Sequence, residues 1–552
     1  MDITTNKSGE STQKAVPNIK SLRVLHIGNI ANNAYLNAKL LNEAGLDCDV
    51  LCHSYYHIMG NPEWEDSDFV GDPGSDFFPN WNKVNLRGFH RPRWFAQGPF
   101  YICIRYLTSR REGKFWREKW DWYSLEIARF FVRHPSLTRL LTKIPVLKQS
   151  IKSFFFFLAR LGFEVIRLTG RVISKVSRLT YKVILKLGRF NFNQAPSLPE
   201  APSPPEAPLA ANHFYQYLSS AFLLAFPERL DQILQGDIEP YIGSNAILKA
   251  LFEHYDVIQA YATDPIFALI SGVRPFIAFE HGAIRSIPFE ENSQGRLTAL
   301  SYRMADGVII TNCDNKRAAE KLNLPDYRFI PHPINEKWLL PGIGHSLRES
   351  LRNELKADFI IFHPARQHWD AERHPSWEKG NDILIEGMAH VIGEGVARFA
   401  AVFVDWGKSV QESKDLLSKL GIADRVKWIR PQNSASMARY IDACDLLADQ
   451  FYLGAFGSTM PRALALGKPA MIYIDDEIHR WCFSELPPVI NARTPDQVYM
   501  GLKRAIDEPG WLNALAHDGQ TWYQKYHSNA VILEKTTTFY KDILARSPPR
   551  QA

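Results

Sequence analysis

Two successive series of short apolar runs, each run followed by a helical stretch, constrain this chain more than any other feature. "SLRVLHIGN" (Ser21–Asn29) reads as a buried strand. "NAYLNAKLLNEAG" then places Leu36, Leu40 and Leu41 on one helical face, with Gly45 as its stop, and "DCDVLC" is a second strand. Strands joined through a helix run parallel, so the opening is a doubly wound α/β unit. The alternation resumes at "YDVIQAYATDPIFALISGVRPFIAFEHG", with strands predicted at Val257–Tyr261 and Phe276–Phe279, and continues through "ADGVIITN" and "YRFIPHPIN". After a charged connector, Arg348–Lys356, a second series follows: "DFIIFHPAR", "FAAVFVDWG", "RVKWIRPQ", "CDLLADQ" and "PAMIYID". A chain of 552 residues exceeds one ordinary core. The expectation is two Rossmann-like domains in series, with a ligand cleft at the carboxyl ends of their strands.

The spans follow from this reading. Residues 1–20 form a polar tail without the apolar core of a signal peptide. Residues 21–340 form the first domain, 341–512 the second, and 513–552 a pair of helices expected to cross back onto the first. The stretch 60–135 mixes Trp, Phe and Tyr with Arg and Lys, and no topology is legible in it; its aromatic residues are read as core, with an acceptor surface as the alternative. The uncharged run Ala207–Pro227 carries too many polar residues for a membrane span and reads as a buried helix.

The charge is unevenly placed. Between Arg139 and Arg189 there are twelve Lys and Arg against one acid, Glu164; this stretch is +11, and the remainder of the +6 chain is −5. Arg167, Arg171, Lys175, Arg178, Lys182, Lys186 and Arg189 recur every three or four residues along one helical stripe. A basic amphipathic helical insert over 139–192 suits an anionic membrane interface; the plainer reading is a solvated helix packed on its own domain. No nucleic-acid recognition motif accompanies the charge. The proline-rich stretch 193–211 closes the insert as a semi-rigid linker. Six scattered cysteines lack metal spacing and suit a reducing compartment, so the expected location is cytoplasmic, peripheral on the inner face of a membrane.

Candidate site residues lie in the loops that end strands. Arg366 and Lys379-Gly380 follow the first strand of the second series, and "GAFGST" opens a short helix from Thr459. Two cations on one side and N–H groups at Ser458 and Thr459 on the other would grip a diphosphate. His281, between a strand end and Gly282, faces the same edge; the alternative is a core histidine. His363, His368 and His374 cluster without a metal-ligand spacing, and no metal is expected.

These stretches, "EHGAIRSIPFE", "HPARQHWD", "EKGNDILIEG" and "DQFYLGAFG" with "ALALGKPAM" above all, resemble the retaining family 4 of GT-B glycosyltransferases over residues 22–50 and 255–544. The resemblance implies a GT-B fold and transfer of a sugar from a nucleotide-diphosphate sugar with retained configuration, with no metal or cofactor. It implies that Arg366 and Lys379 neutralise the diphosphate, that the N–H of Gly457 joins those of Ser458 and Thr459 there, and that His281 contacts the donor sugar. It also implies that Gly28 and Asn29 approach across the cleft, and that Arg430-Pro431-Gln432 border the base. A lipid-linked acceptor in surface polysaccharide or glycolipid assembly would fit the basic insert. Family 4 members usually carry two glutamates eight positions apart; Gly454 and Arg462 stand there instead. Three readings of Arg462 follow: a structural pair with an acid such as Asp449, a third cation for the donor, or the mark of a noncatalytic scaffold whose donor site has degraded.

Overall fold

The structure, a computed structural model, describes residues 22–133, 208–370, 373, 377–396 and 398–547. The tail 1–20, the basic segment 139–192, the linker up to residue 207 and His374 lie outside the described residues.

The first domain holds a seven-stranded parallel sheet: β1 (Arg23–Ile27), β2 (Asp47–His53), β3 (Phe95–Gly98), β4 (Val257–Tyr261), β5 (Phe276–Phe279), β6 (Gly307–Ile310) and β7 (Tyr327–Phe329), in spatial order 3-2-1-4-5-6-7. The second holds six: β8 (Phe359–His363), β9 (Phe399–Val404), β10 (Val426–Ile429), β11 (Leu446–Ala448), β12 (Ala470–Ile472) and β13 (Ile490–Asn491), in order 10-9-8-11-12-13. Both sheets are doubly wound, and a cavity lies between the two domains, which is the GT-B architecture. In each sheet the strand order reverses once, between β1 and β4 and between β8 and β11. Ligand crevices open outside the strand ends at such switch points. β3 and β13 were not legible as strands: one is four residues long inside the aromatic stretch, the other only two.

The apolar runs are continuous because both faces of each sheet are covered. On β1, Val24 points into one layer with Val50 and Val257, while Leu25 and Ile27 point into the other with Leu51, Ile258 and Ala260. The helices that matter below are α1 (Asn33–Glu43), α2 (Pro62–Asp66), α3 (Phe115–Arg133), α4 (Pro208–Ala225), α5 (Asn381–Gly393), α6 (Ser434–Ala443), α7 (Thr459–Ala465) and α8 (Asn529–Arg546). Although it follows the second sheet in sequence, α8 packs on the first: Ile532, Phe539, Tyr540 and Ile543 join the layer under β1 and β2. There the Tyr540 hydroxyl donates to Gln259 Oε1 at 2.7 Å.

Two expectations of burial need correction. α4 is only half buried: Leu218 and Phe222 enter the core, but Tyr217 and Leu224 are exposed. In the aromatic stretch Trp64 and Trp81 are buried, while Phe115, Trp116 and Tyr123 on α3 are exposed. The stretch therefore supplies both core and surface.

Candidate functional site

A cavity of about 320 Å³ opens between the two switch points. Its second-domain wall is made by Pro364, Ala365 and Arg366 after β8, Lys379 before α5, Asp449 and Gln450 after β11, and Gly457, Ser458, Thr459 and Arg462 at α7. Its first-domain wall is made by Ala31 and Asn33 of the β1–α1 turn, Trp64 and Glu65 of α2, His281 after β5, Thr311 and Asn312 after β6, and His332. His527, just before α8, also reaches it.

The cations are held differently. The guanidinium of Arg366 lies over the ring of Trp406, 5.6 Å from its centroid, and no carboxylate among the described residues pairs with it. Lys379 Nζ donates to Gln450 Oε1 at 2.6 Å, and the buried Asp449 carboxylate interacts with it electrostatically. Burial outweighs that acid and brings the Lys379 ammonium down to about 8. Asp449 is pushed above the usual carboxylate range by its own burial, which Lys379 opposes. The loop is rigid on both sides, with Lys379 N–H donating to His368 O at 2.8 Å and Phe451 N–H to Lys379 O at 2.8 Å.

The opposite wall is neutral apart from one acid. Burial, reinforced by Arg285, holds His281 down to about 4. His332, its ring centroid 6.3 Å from that of His281, is driven well below its ordinary range by burial. His527 is likewise held near 4 by burial. These imidazoles are uncharged at neutral pH and can each donate or accept a hydrogen bond.

Arg462 pairs with Glu65 of the first domain, Nη2 to Oε2 at 3.7 Å. Of the three readings of Arg462, the pair with an acid is the contact present, and the acid is Glu65 rather than Asp449. The acid comes from a residue 397 positions earlier in the chain because α2 wedges against α6: Glu65 Oε2 also accepts from Ser434 Oγ, Ser67 O accepts from Asn433 Nδ2 at 3.2 Å, and Arg439 Nη1 donates to Asp68 Oδ1 at 2.8 Å. On its own side α2 is anchored by Glu63, which receives the buried guanidinium of Arg91 at 2.8 Å. The second missing glutamate position behaves otherwise. Gly454 does not line the cavity; it has φ +70° and is packed so that a Cβ would lie 2.8 Å from Asp475 Cβ and 2.9 Å from the Tyr473 ring.

Several sequence candidates sit behind the wall rather than in it. Gly28, at φ +88°, lets β1 end against the Asp264 carboxylate, which a Cβ would strike. Asn29 is spent inside its own turn, donating to Gly60 O at 2.9 Å and accepting from Tyr35 N–H at 2.9 Å. Gly380, in left-handed conformation at φ +65°, starts α5. Gln432 lines the cavity, while Arg430 is turned outward to Asp72 at 2.7 Å. His363 is consumed by Ala448 O at 2.9 Å and by Asn381 at 2.9 Å, and no metal-ligand group is found among the described residues. Sequence reasoning missed Asn33, Glu65, His332 and His527. The run "NIANNAY" was the available signal for Asn33; Glu65 lay inside the stretch whose topology could not be read.

No family model matches the sequence, and no curated protein matches it significantly. Solved structures do resemble it. HepE from Anabaena in complex with UDP is 18% identical, with a TM-score of 0.45, over 55% of this chain and 84% of that one. Sucrose-phosphate synthase from Thermosynechococcus elongatus is 16% identical, with a TM-score of 0.41, over 55% and 80%. A glycosyltransferase from Rickettsia africae is 14% identical, with a TM-score of 0.43, over 56% and 82%. At these identities and scores the likeness carries nothing about activity.

Proposed function

We propose that this chain is a glycosyltransferase that moves a sugar from a nucleotide-diphosphate sugar to an acceptor. The observation that supports this best is the division of the cavity: Arg366, without a carboxylate partner among the described residues, and the desolvated Lys379 on one wall, and hydrogen-bonding groups that are neutral apart from Glu65 on the other. Breaking a glycosyl–phosphate bond places negative charge on the diphosphate and positive charge on the sugar. Fixed cations in a confined cleft stabilise the first without rearranging, and neutral imidazoles do not oppose the second. In this reading Arg366 and Lys379 take the diphosphate and His281 contacts the sugar. The N–H groups of Gly457, Ser458 and Thr459 approach the phosphates from α7. The transfer proceeds with retention, the leaving phosphate accepting the acceptor's proton, and the cations fill the role a metal has elsewhere.

The acceptor is proposed to be lipid-linked, in polysaccharide or glycolipid assembly at the inner face of a membrane. No helix among the described residues is long and apolar enough to cross a membrane. α3 is described as far as Arg133, shortly before the basic segment in sequence, and exposes Phe115, Trp116, Tyr123 and Ile127. Flotation with anionic liposomes checks this part: the chain lacking 139–190 should lose most of its binding, and undiminished flotation would remove the membrane from the account. The catalytic part is tested by calorimetric titration with UDP, GDP and ADP and with their sugar conjugates. One nucleotide should bind, and Lys379→Ala should weaken its binding by about 100-fold or more. No binding by the parent would favour a noncatalytic scaffold.

A further inference from the structure

Glu65, Asn33 and His332 are polar groups of the first-domain wall whose bonding among the described residues is incomplete, and Glu65 and Asn33 are the two that can meet a pair of hydroxyls. Glu65 is 5% exposed and lines the cavity; its Oε2 is taken by Ser434 and Arg462, while Oε1 has no partner among the described residues. Asn33 is 1% exposed, lines the same cavity, and both its Oδ1 and its Nδ2 are buried without a partner among the described residues. A buried amide with neither end satisfied is a cost that a bound ligand can remove. The turn that delivers it is itself unusual: Ala31 and Asn32 are consecutive non-glycine residues at φ +49° and +59°. Left-handed backbone at such residues is found where function holds it.

We infer that Glu65 and Asn33 together bind a vicinal diol of the donor, with Arg462 as the positioning residue that holds the carboxylate in place; this rests on the nucleotide-sugar reading above. The chemistry matches. An ionised carboxylate only accepts, so it takes the O–H of one hydroxyl. The amide takes the other hydroxyl's O–H at Oδ1 and gives Nδ2–H to a hydroxyl oxygen. A phosphate would be repelled by Glu65, which leaves the diphosphate to the Arg366 and Lys379 wall. Arg462 cannot accept a hydrogen bond. Its partner Glu65 brings an acid to the cavity from the other domain. Nucleotide sugars offer two such diols, that of the ribose and those of the transferred hexose.

The two sources are separated by titrating the parent, Glu65→Gln and Asn33→Ala with three probes: the nucleoside diphosphate that binds, its 2′,3′-dideoxy form, and its hexose conjugate. If the ribose is the ligand, the parent prefers the diol form over the dideoxy form by roughly 10- to 100-fold. Both variants should bring this ratio to near one while still binding the dideoxy form, which also shows that they fold. If the hexose is the ligand, the first two probes bind alike and the variants lose the preference for the conjugate instead. Arg462→Lys, which keeps a cation beside Glu65, should retain the ratio that Arg462→Leu loses. Variants that weaken all three probes by one common factor, or change none, overturn the inference and leave the reading intact: Glu65 and Arg462 would then only join the domains. A parent that binds no nucleoside diphosphate sinks the reading and the inference with it.

Discussion

The two walls of the cavity solve opposite electrostatic problems. The second-domain wall keeps cations out of water with few acids to pair them: Arg366 rests on Trp406, and Lys379 has an amide oxygen as its hydrogen-bond partner. The first-domain wall keeps histidines uncharged by burial and spends its one acid, Glu65, on a partner from the other domain. Poorly compensated charge is retained where a ligand will supply the counter-charge; neutral groups are retained where the ligand is uncharged or becoming positive. Under the proposed reading, the diphosphate and the sugar would be recognised by different domains, and bond cleavage would take place across the seam.

The contrast can be broken first at its foundation. Arg91→Ala leaves Glu63 buried without its cation, and α2 loses the anchor that presents Glu65. Removing one partner of a buried pair costs about 3–5 kcal/mol, which urea unfolding will register. A loss within experimental error would mean that the first-domain wall is held in another way. Next, Lys379→Ala should weaken nucleoside diphosphate binding by about 100-fold or more, because a charge-assisted bond in a dry cleft is removed. His281→Ala should leave that affinity nearly untouched and lower turnover of the sugar conjugate, and equal effects of the two changes would erase the distinction between the walls. Gly454→Glu restores a glutamate in sequence but not in space. With left-handed backbone and Tyr473 and Asp475 against it, the substitution should cost about 1–3 kcal/mol of stability and gain no affinity.

The smallest effect is on pH dependence. Lys379 carries its proton below about 8 in the free protein, against an ordinary value of 10.5. The protonated form binds phosphate, so affinity should be flat below pH 8 and fall by about tenfold per unit above it, since a pH unit corresponds to 1.36 kcal/mol of proton affinity. Lys379→Arg, whose guanidinium does not titrate there, should flatten the profile.

Much of this contrast was legible in the sequence on one side only. The second-domain wall follows from local pattern: apolar runs mark β8 and β11, and chemistry-bearing residues just after them fall at the sheet edge. Arg366, Lys379 and the Gly457–Thr459 turn were found that way, and all of them line the cavity, whereas Gly380, named with Lys379, does not. The first-domain wall depends on contacts that no local pattern encodes. Glu65 sits on a five-residue helix, flanked by aromatic residues with no periodicity, and meets Ser434 and Arg462 only after both domains have formed. Asn33 was passed over for Gly28 and Asn29, which shape the same turn from behind. Gly454 and Arg462 were singled out together in the sequence. Their meanings diverge only in three dimensions, where one turns away from the cavity and the other reaches across it.

The most direct test is a donor screen. The full chain is incubated with UDP-, GDP- and ADP-sugars and lipid-extracted acceptors, and released nucleotide is measured together with product mass. The account predicts that one nucleotide family is consumed, with one nucleoside diphosphate released per sugar transferred, that chelator leaves the rate unchanged, and that Lys379→Ala is inactive. Binding of no nucleotide sugar by the parent, or turnover that survives loss of both Arg366 and Lys379, would contradict it.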